Sequence, residues 1–268
     1  MQCFKRGEGV RLRRRLGQHL LVDENFVERF VNAVGRCRVV YEIGCGLGSL
    51  TIPLSKVADY VFCSEIDGSI VKMLKECYSD MENIDVIRAD ATLLKVSASR
   101  HVVASNTPFY LSSQIISMLC KDVSLDYAVL GVQLEVGERI QASPGMPEYG
   151  RLSIIAQLCF SVEKLFIIPR EAYHPKPKVD TLVVRLTPKG KVTPGEVTAL
   201  ESFTRVVFPY RRKKLSSGIA LGYRINKEAS RRILIEKGIN PEKRVEEITP
   251  EEALFLSREF LGFKPKSF

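Results

Sequence analysis

Between residues 38 and 134, β-rich runs alternate with helix-compatible stretches, and this rhythm limits the possible folds more than any other feature of the chain. The runs are RVVYEI (38–43), YVFCSEI (60–66), IDVIRA (84–89), HVVAS (101–105) and YAVLGVQL (127–134), with helix-compatible segments such as 68–79 and 111–121 between them. Short, nearly continuous apolar strands separated by helices form an open, mostly parallel sheet that is buried on both faces. Ahead of the first run, Asp23 is a residue type that caps helix N-termini, and Phe26, Val27, Phe30, Val31 and Val34 follow at helical spacing on one face. Two later runs, VEKLFIIP (162–169) and VDTLVVRL (179–186), are joined by REAYHPKPK, which is too short and proline-rich for a crossover helix. They predict that the sheet closes with an antiparallel edge pair. TPKGKVTPG (187–195) reads as a linker, and the pattern beyond it is purely helical. The expected organisation is an α/β domain over 1–188 followed by a small all-helical domain over 189–268.

Composition excludes several classes. With 45% hydrophobic and 26% charged residues the chain is neither disordered nor fibrous. No apolar run approaches the roughly 18 residues that span a bilayer. The basic start, Lys5 to Arg15, leads into LGQHLLVDENF and not into an apolar signal core, so the expected compartment is the cytoplasm. Seven scattered cysteines without a CxxC pair, and only three histidines, predict reduced thiols and no metal site.

The net charge of +9 is unevenly placed. Residues 1–15 hold six Lys/Arg against one Glu, 189–268 hold seventeen against ten, and 16–188 hold seventeen against twenty acids. Two basic ends around an acidic centre point to a polyanionic partner, nucleic acid ahead of a membrane. Arg11, Arg13, Arg14 and Arg15 form one candidate contact. Arg211, Arg212, Lys213 and Lys214 form the other, because four consecutive cations would cover every side of a helix. Arg151, in Tyr149-Gly150-Arg151, is a third candidate.

The first β-run ends in Glu42-Ile43-Gly44-Cys45-Gly46-Leu47-Gly48. Glycines at a strand-to-helix turn let the backbone approach a ligand at the carboxyl edge of the sheet. The spacing is G-x-G-x-G behind an acidic residue, not the G-x-G-x-x-G of a dinucleotide site, and suits a nucleoside without phosphate such as S-adenosylmethionine (SAM). Gly44 and Gly46 are therefore candidate cofactor contacts. Glu65 ends the second run, where a carboxylate can accept from both ribose hydroxyls, and Asp90 ends the third, where it can accept from an adenine amino group.

The fourth run ends in Asn106-Thr107-Pro108-Phe109. An exocyclic adenine amine is a poor nucleophile because its lone pair is delocalised into the ring. The Asn106 side-chain oxygen and the Pro108 carbonyl could each accept one amine hydrogen and favour the pyramidal, reactive nitrogen. Phe109 would stack on the flipped-out base.

The ordered set LGQHLLVDENF, EIGCGLGSLT, SEID, RADA, NTPF, YGRLS, AYHPKPKVDTLVVRL and FPYRRKKL resembles the small-subunit rRNA adenine N6,N6-dimethyltransferase family, most closely its archaeal and eukaryotic branch. The resemblance covers nearly the whole chain up to about residue 221. It implies a Rossmann-like SAM-dependent methyltransferase domain with a small helical C-terminal domain. The activity it implies is transfer of four methyl groups to N6 of two adjacent adenosines in the 3′-terminal hairpin of small-subunit rRNA, on a pre-30S or 40S particle, by a monomer without metal. It places SAM contacts on His19, Leu21, Gly44, Glu65, Asp90 and Asn106, and a second base-stacking aromatic on Tyr173. His19 stands where the family usually has Asn or Cys, and NTPF where it has NLPY or NIPY. The alternatives are a large-subunit rRNA adenine methyltransferase and a non-catalytic RNA-binding assembly factor. In the favoured mechanism no side chain titrates near neutrality, and the single-turnover rate should be flat with pH.

Overall fold

A computed structural model describes residues 19–90, 92–93 and 100–263. Arg11, Arg13, Arg14 and Arg15 lie outside them. The first elements are β1 (Leu20–Leu21) and α1 (Glu24–Val34), the latter capped by Asp23, whose carboxylate accepts from the Asn25 amide at 2.9 Å. Such a cap contributes about 1 kcal/mol. Phe30, Val31 and Val34 form the buried face of α1, as the periodicity predicts.

The alternating stretch folds as β2 (Cys37–Ile43), α2 (Thr51–Ser55), β3 (Ala58–Glu65), α3 (Gly68–Cys77), β4 (Ile84–Arg88), β5 (His101–Asn106), α4 (Ser112–Leu119), β6 (Leu125–Gln133) and α5 (Leu134–Arg139). These strands match the sequence runs to within two residues at either end. There follow α6 (Arg151–Cys159), β7 (Phe160–Ile168), β8 (Tyr173–His174) and β9 (Thr181–Pro188). The seven-stranded sheet has the order β4-β3-β2-β5-β6-β9-β7. β2 pairs in parallel with β3 and β5, β3 with β4, and β5 with β6, whereas β9 runs antiparallel to β6. β9 lies between β6 and the edge strand β7, so the later strand of the expected pair occupies the inner position. Val40, Ile43, Val103, Ala104, Val129 and Leu130 are completely buried, as central strands covered on both faces must be.

The chain leaves β2 toward β3 and β4, then returns to place β5 on the other side of β2. This reversal opens a crevice at the carboxyl ends of β2 and β5, where sheets of this kind hold ligands. β1 and β8 form a separate two-stranded ribbon, with Leu20 opposite His174 and Leu21 opposite Tyr173.

The C-terminal part contains α7 (Pro194–Val207), α8 (Leu215–Tyr223), α9 (Lys227–Glu236) and α10 (Pro250–Glu259), and no strand among the described residues. Thr193 with Glu196, and Thr249 with Glu252, close reciprocal capping boxes on α7 and α10. The chain divides into two compact units. One joins residues up to Gly137 with Ser161–Pro188, and the other joins Glu138–Phe160 with Lys189 onward. The expected boundary after residue 188 is one of these divisions. The segment 138–160, which the sequence reading assigns to the α/β domain, belongs to the helical unit: the buried Tyr149 donates its hydroxyl to the Ile248 carbonyl at 2.7 Å. Five cysteines, at 37, 45, 63, 120 and 159, are free thiols as expected, and Cys77 is disulfide-bonded, which corrects the reading for that residue. No helix among the described residues is long and apolar enough to cross a membrane.

Candidate cofactor cavity and base pocket

At the crevice lies a cavity of about 240 Å³. The turn after β2 forms its floor. Gly44, Gly46 and Gly48 have φ of 69°, 52° and 80°, in the left-handed region that glycine adopts without steric cost. A Cβ on Gly46 would stand 3.1 Å from Leu20 Cδ2, and one on Gly48 only 2.0 Å from the Tyr78 hydroxyl. The turn therefore needs glycine for backbone shape at all three positions, and at Gly48 for space as well.

Glu65, 6% exposed, ties this turn to the end of β3. Its Oε2 accepts from the Gly46 amide at 3.0 Å, and its Oε1 accepts from the amides of Ile66 and Asp67, both at 3.0 Å. A carboxylate can take about four hydrogen bonds, so Glu65 keeps acceptor capacity toward the cavity. Asp90 also lines the cavity, with Oδ1 accepting from the Thr92 amide at 2.9 Å and the Thr92 hydroxyl at 2.7 Å.

Glu42 is a site residue that sequence reasoning noted only as the acid ahead of the glycines. It lines the cavity, is 2% exposed, and accepts from the Thr51 hydroxyl at 2.6 Å. Burial pushes its carboxyl up to about 7, the nearby Glu65 adds to the shift, and the Thr51 hydrogen bond opposes it. Glu42 thus places a carboxyl near neutrality in the cavity, outside the residues the sequence reading gives to methyl transfer. Ile66 and Tyr110, at the lip of the same cavity, are 45% and 54% exposed and were also missed. Singly exposed apolar residues are common on any surface and carry no signal in sequence.

Asn106 ends β5 with both functions of its amide engaged. Its Nδ2 donates to the His19 carbonyl at 3.1 Å, and its Oδ1 accepts from the Tyr173 hydroxyl at 3.1 Å. Gly131, its partner in the β5–β6 register, leaves the space this side chain occupies: a Cβ there would lie 3.2 Å from Asn106 Oδ1. Pro108 lines the cavity, and its carbonyl accepts from the Leu111 amide at 2.8 Å, closing a short turn while leaving a second lone pair. Phe109 is half-buried and does not line the cavity. The His19 ring stacks on it, with centroids 5.7 Å apart and planes at 29°.

At three places the structure sets the side chains differently from the sequence reading. Leu21 is buried in the core, and Leu20, on the opposite face of the same short strand, lines the cavity instead. Tyr173 is only 3% exposed and offers no open face for stacking; its hydroxyl holds Asn106, and burial raises its pKa. The cations at 211–214 do not lie along a helix but form the turn before α8. Arg211 pairs with Glu246 at 2.9 Å and donates to the Pro147 carbonyl, and Lys214 pairs with Glu242 at 2.6 Å. Arg212 and Lys213 are exposed and pair with no acid among the described residues. Arg151 is half-buried, with Nε buried and without a hydrogen-bond partner among the described residues. Burial lowers its pKa, helped by Arg205. Among the described residues no three His, Cys, Asp or Glu side chains are grouped to hold a metal ion.

The profile of the family described as ribosomal RNA adenine dimethylase matches residues 9–260. This chain belongs to that family. A probable ribosomal RNA small subunit methyltransferase A of Methanopyrus kandleri is 37% identical over 235 residues, covering 85% of this chain and 84% of that protein. The ribosomal RNA small subunit methyltransferase A of Bacillus mycoides is 33% identical over 273 residues, covering 96% and 94%. Among solved structures, a dimethyladenosine transferase from Plasmodium falciparum superposes with a TM-score of 0.75 at 27% identity, covering 90% of this chain and 97% of that one. The 23S rRNA methyltransferase ErmE gives 0.63 at 24% identity over 89% and 98%, a likeness of fold alone.

Proposed function

We propose that this protein transfers methyl groups from SAM to N6 of two adjacent adenosines in the 3′-terminal hairpin of small-subunit rRNA, in the cytoplasm during ribosome biogenesis. The observation that carries the reading is the meeting of the glycine turn, Glu65, Asp90, Asn106 and Pro108 around one cavity of about 240 Å³. Relatives named small subunit methyltransferase A, one archaeal and one bacterial, match most of the chain and favour the small subunit.

The cavity fits SAM by its chemistry. Gly44 and Gly46 leave the floor bare of side chains, Glu65 offers acceptors for vicinal hydroxyls, Asp90 offers one for an exocyclic amine, and Ile66 and Tyr110 present apolar faces to a flat ring. The buried carboxyl of Glu42 complements a cationic ligand. SAM, when bound, supplies an electrophilic methyl group carried on a sulfonium.

The chain's own groups prepare the nucleophile. The Asn106 oxygen and the Pro108 carbonyl accept the two hydrogens of the adenine amine, which localises the lone pair on nitrogen. Phe109 stacks on the base, and Tyr173 acts as a positioning residue that orients the Asn106 amide through its hydroxyl. Arg212, Lys213 and the arginines at 11, 13, 14 and 15 contact rRNA phosphates, which set position without reading sequence.

Transfer of labelled methyl groups to isolated small and large ribosomal subunits tests the reading. Label is expected on small subunits only, with Asn106→Ala below about a tenth of wild type at saturating SAM. Label on large subunits alone would establish the antibiotic-resistance type of reaction, and no label on either would establish a non-catalytic assembly factor.

A further inference from the structure

Residues 211–232 hold eight Lys/Arg against a single acid, Glu228. The fold neutralises only part of this charge. Glu242 lies between the start of α8 and the middle of α9, where its carboxylate pairs with Lys214 at 2.6 Å and with Arg231. Two cations thus share one acid and keep a net positive charge. Arg212 and Lys213 continue this surface at the start of α8. At its other end Lys227 stands four residues before Arg231, so the two side chains lie on one face of α9. Lys227 and Arg224, in the turn between α8 and α9, are exposed and pair with no acid among the described residues.

Arg224 also holds a backbone conformation that suits another residue better. It ends α8 with φ 54° and ψ 39°, and among the described residues it is the only one other than glycine with a positive φ. That region crowds any β-carbon, and glycine takes it freely at a helix end. An exposed guanidinium without a partner returns nothing to the fold for this cost. We propose that Arg224 and Lys227 form a second phosphate-binding point for small-subunit rRNA, set apart from Arg212 and Lys213 by the length of α8. This rests on the reading of the chain as an rRNA methyltransferase. Guanidinium and ammonium groups only donate, and phosphate oxygens only accept, so the ligand class follows from the side chains. α8 has nine residues, about 13 Å at a rise of 1.5 Å each. The two points therefore reach phosphates several nucleotides apart on one strand, or on the two strands of a helix. One cluster would leave the RNA free to pivot, and two separated points fix its direction on the helical unit.

The test is binding of the whole protein to isolated small ribosomal subunits between about 50 and 200 mM salt, where each phosphate contact accounts for about a threefold share of the fall in affinity. Combining Arg224→Gly with Lys227→Gln should shrink that fall about tenfold and flatten the salt slope by up to about two units. Arg224→Lys should keep the wild-type slope. Arg224→Gly alone should melt at or above the wild-type temperature, so its loss of rRNA affinity cannot come from unfolding. In hydroxyl-radical footprints the double variant should lose protection at a different rRNA segment from the one lost when Arg212 and Lys213 are changed to Gln. A wild-type slope in the double variant would overturn the proposal and leave Arg224 as a helix cap only. Loss of the same segment in both double variants would overturn the two-point grip. If the wild-type protein neither binds nor methylates small subunits, the reading of the function fails and this site fails with it.

Discussion

Replacing Glu42 by glutamine removes a buried carboxyl and keeps an oxygen that can accept from the Thr51 hydroxyl, now at 2.6 Å from Oε2. In the fold this carboxyl is held at about 7 against an ordinary 4.5, chiefly by burial. The native state therefore binds the proton more tightly than the unfolded chain does. The stability this supplies is complete below pH 4.5 and is lost as the pH rises through 7. From pH 5.5 to 8 the loss from this one group is about 2 kcal/mol. In a chain of this size each kcal/mol moves Tm by roughly 2–4 °C. Urea midpoints and melting temperatures at the two pH values should show wild type losing about 2 kcal/mol more than Glu42→Gln. Since a cationic ligand favours the ionised form, SAM binding near neutrality should also release protons, measurable by calorimetry in buffers of different ionisation heat, and Glu42→Gln should abolish the release. Parallel stability profiles for the two proteins would refute the reasoning, because they would mean that Glu42 is ionised throughout.

Glu65→Ala should lower both apoprotein stability and SAM affinity, because it orphans three backbone amides, each costing about 1–3 kcal/mol if left buried; unchanged denaturation of the apoprotein would show that water replaces them. Gly48→Ala should destabilise by roughly 2–4 kcal/mol from overpacking against Tyr78 and backbone strain, and Tyr78→Phe in the same chain should recover part of it by thermal melting. Changing Arg212 and Lys213 together to Gln should flatten the salt dependence of rRNA binding by up to about two units, whereas Arg211 and Lys214, already ion-paired, should contribute less than about one unit between them. Filter-binding isotherms at several salt concentrations measure this, and equal slopes for the two double variants would contradict the assignment.

The parallel strands were legible because a strand buried on both faces must be apolar almost throughout, and Val39, Val40, Val102 and Val103 announce it. Asp90 and Asn106 were legible because each follows such a run directly, Glu65 because it lies at the end of one, and the carboxyl ends of parallel strands share one edge. The place of β9 inside β7 was hidden, because both runs have the same composition and only tertiary pairing orders them. The β1–β8 ribbon was hidden too, since two-residue strands leave no period to read. It decides that Leu20 and not Leu21 faces the cavity. The basic turn looked like an unneutralised patch because Glu242 and Glu246 lie some thirty residues further on. Helix α6 was given to the wrong unit for a similar reason: periodicity shows that Ile154, Ile155 and Leu158 are buried, but not in which core.

The interleaving of the two units bears on how the chain can be made and divided. As synthesis proceeds, β7 is made before β9, the strand beside which it lies in the sheet, and leaves the ribosome first. Residues 138–160 leave it earlier still, while their unit waits for everything from Lys189 onward. Neither core can close in the order of translation, so the apolar side of α6 has to be sheltered until the last helices arrive. A fragment ending at 188 would carry α6 without its partners, and a fragment starting at 189 would lack Tyr149, whose hydroxyl bonds to Ile248. A soluble version of the α/β unit alone therefore requires excision of 138–160 and a short bridge from Gly137 to Ser161, and no single cut achieves it.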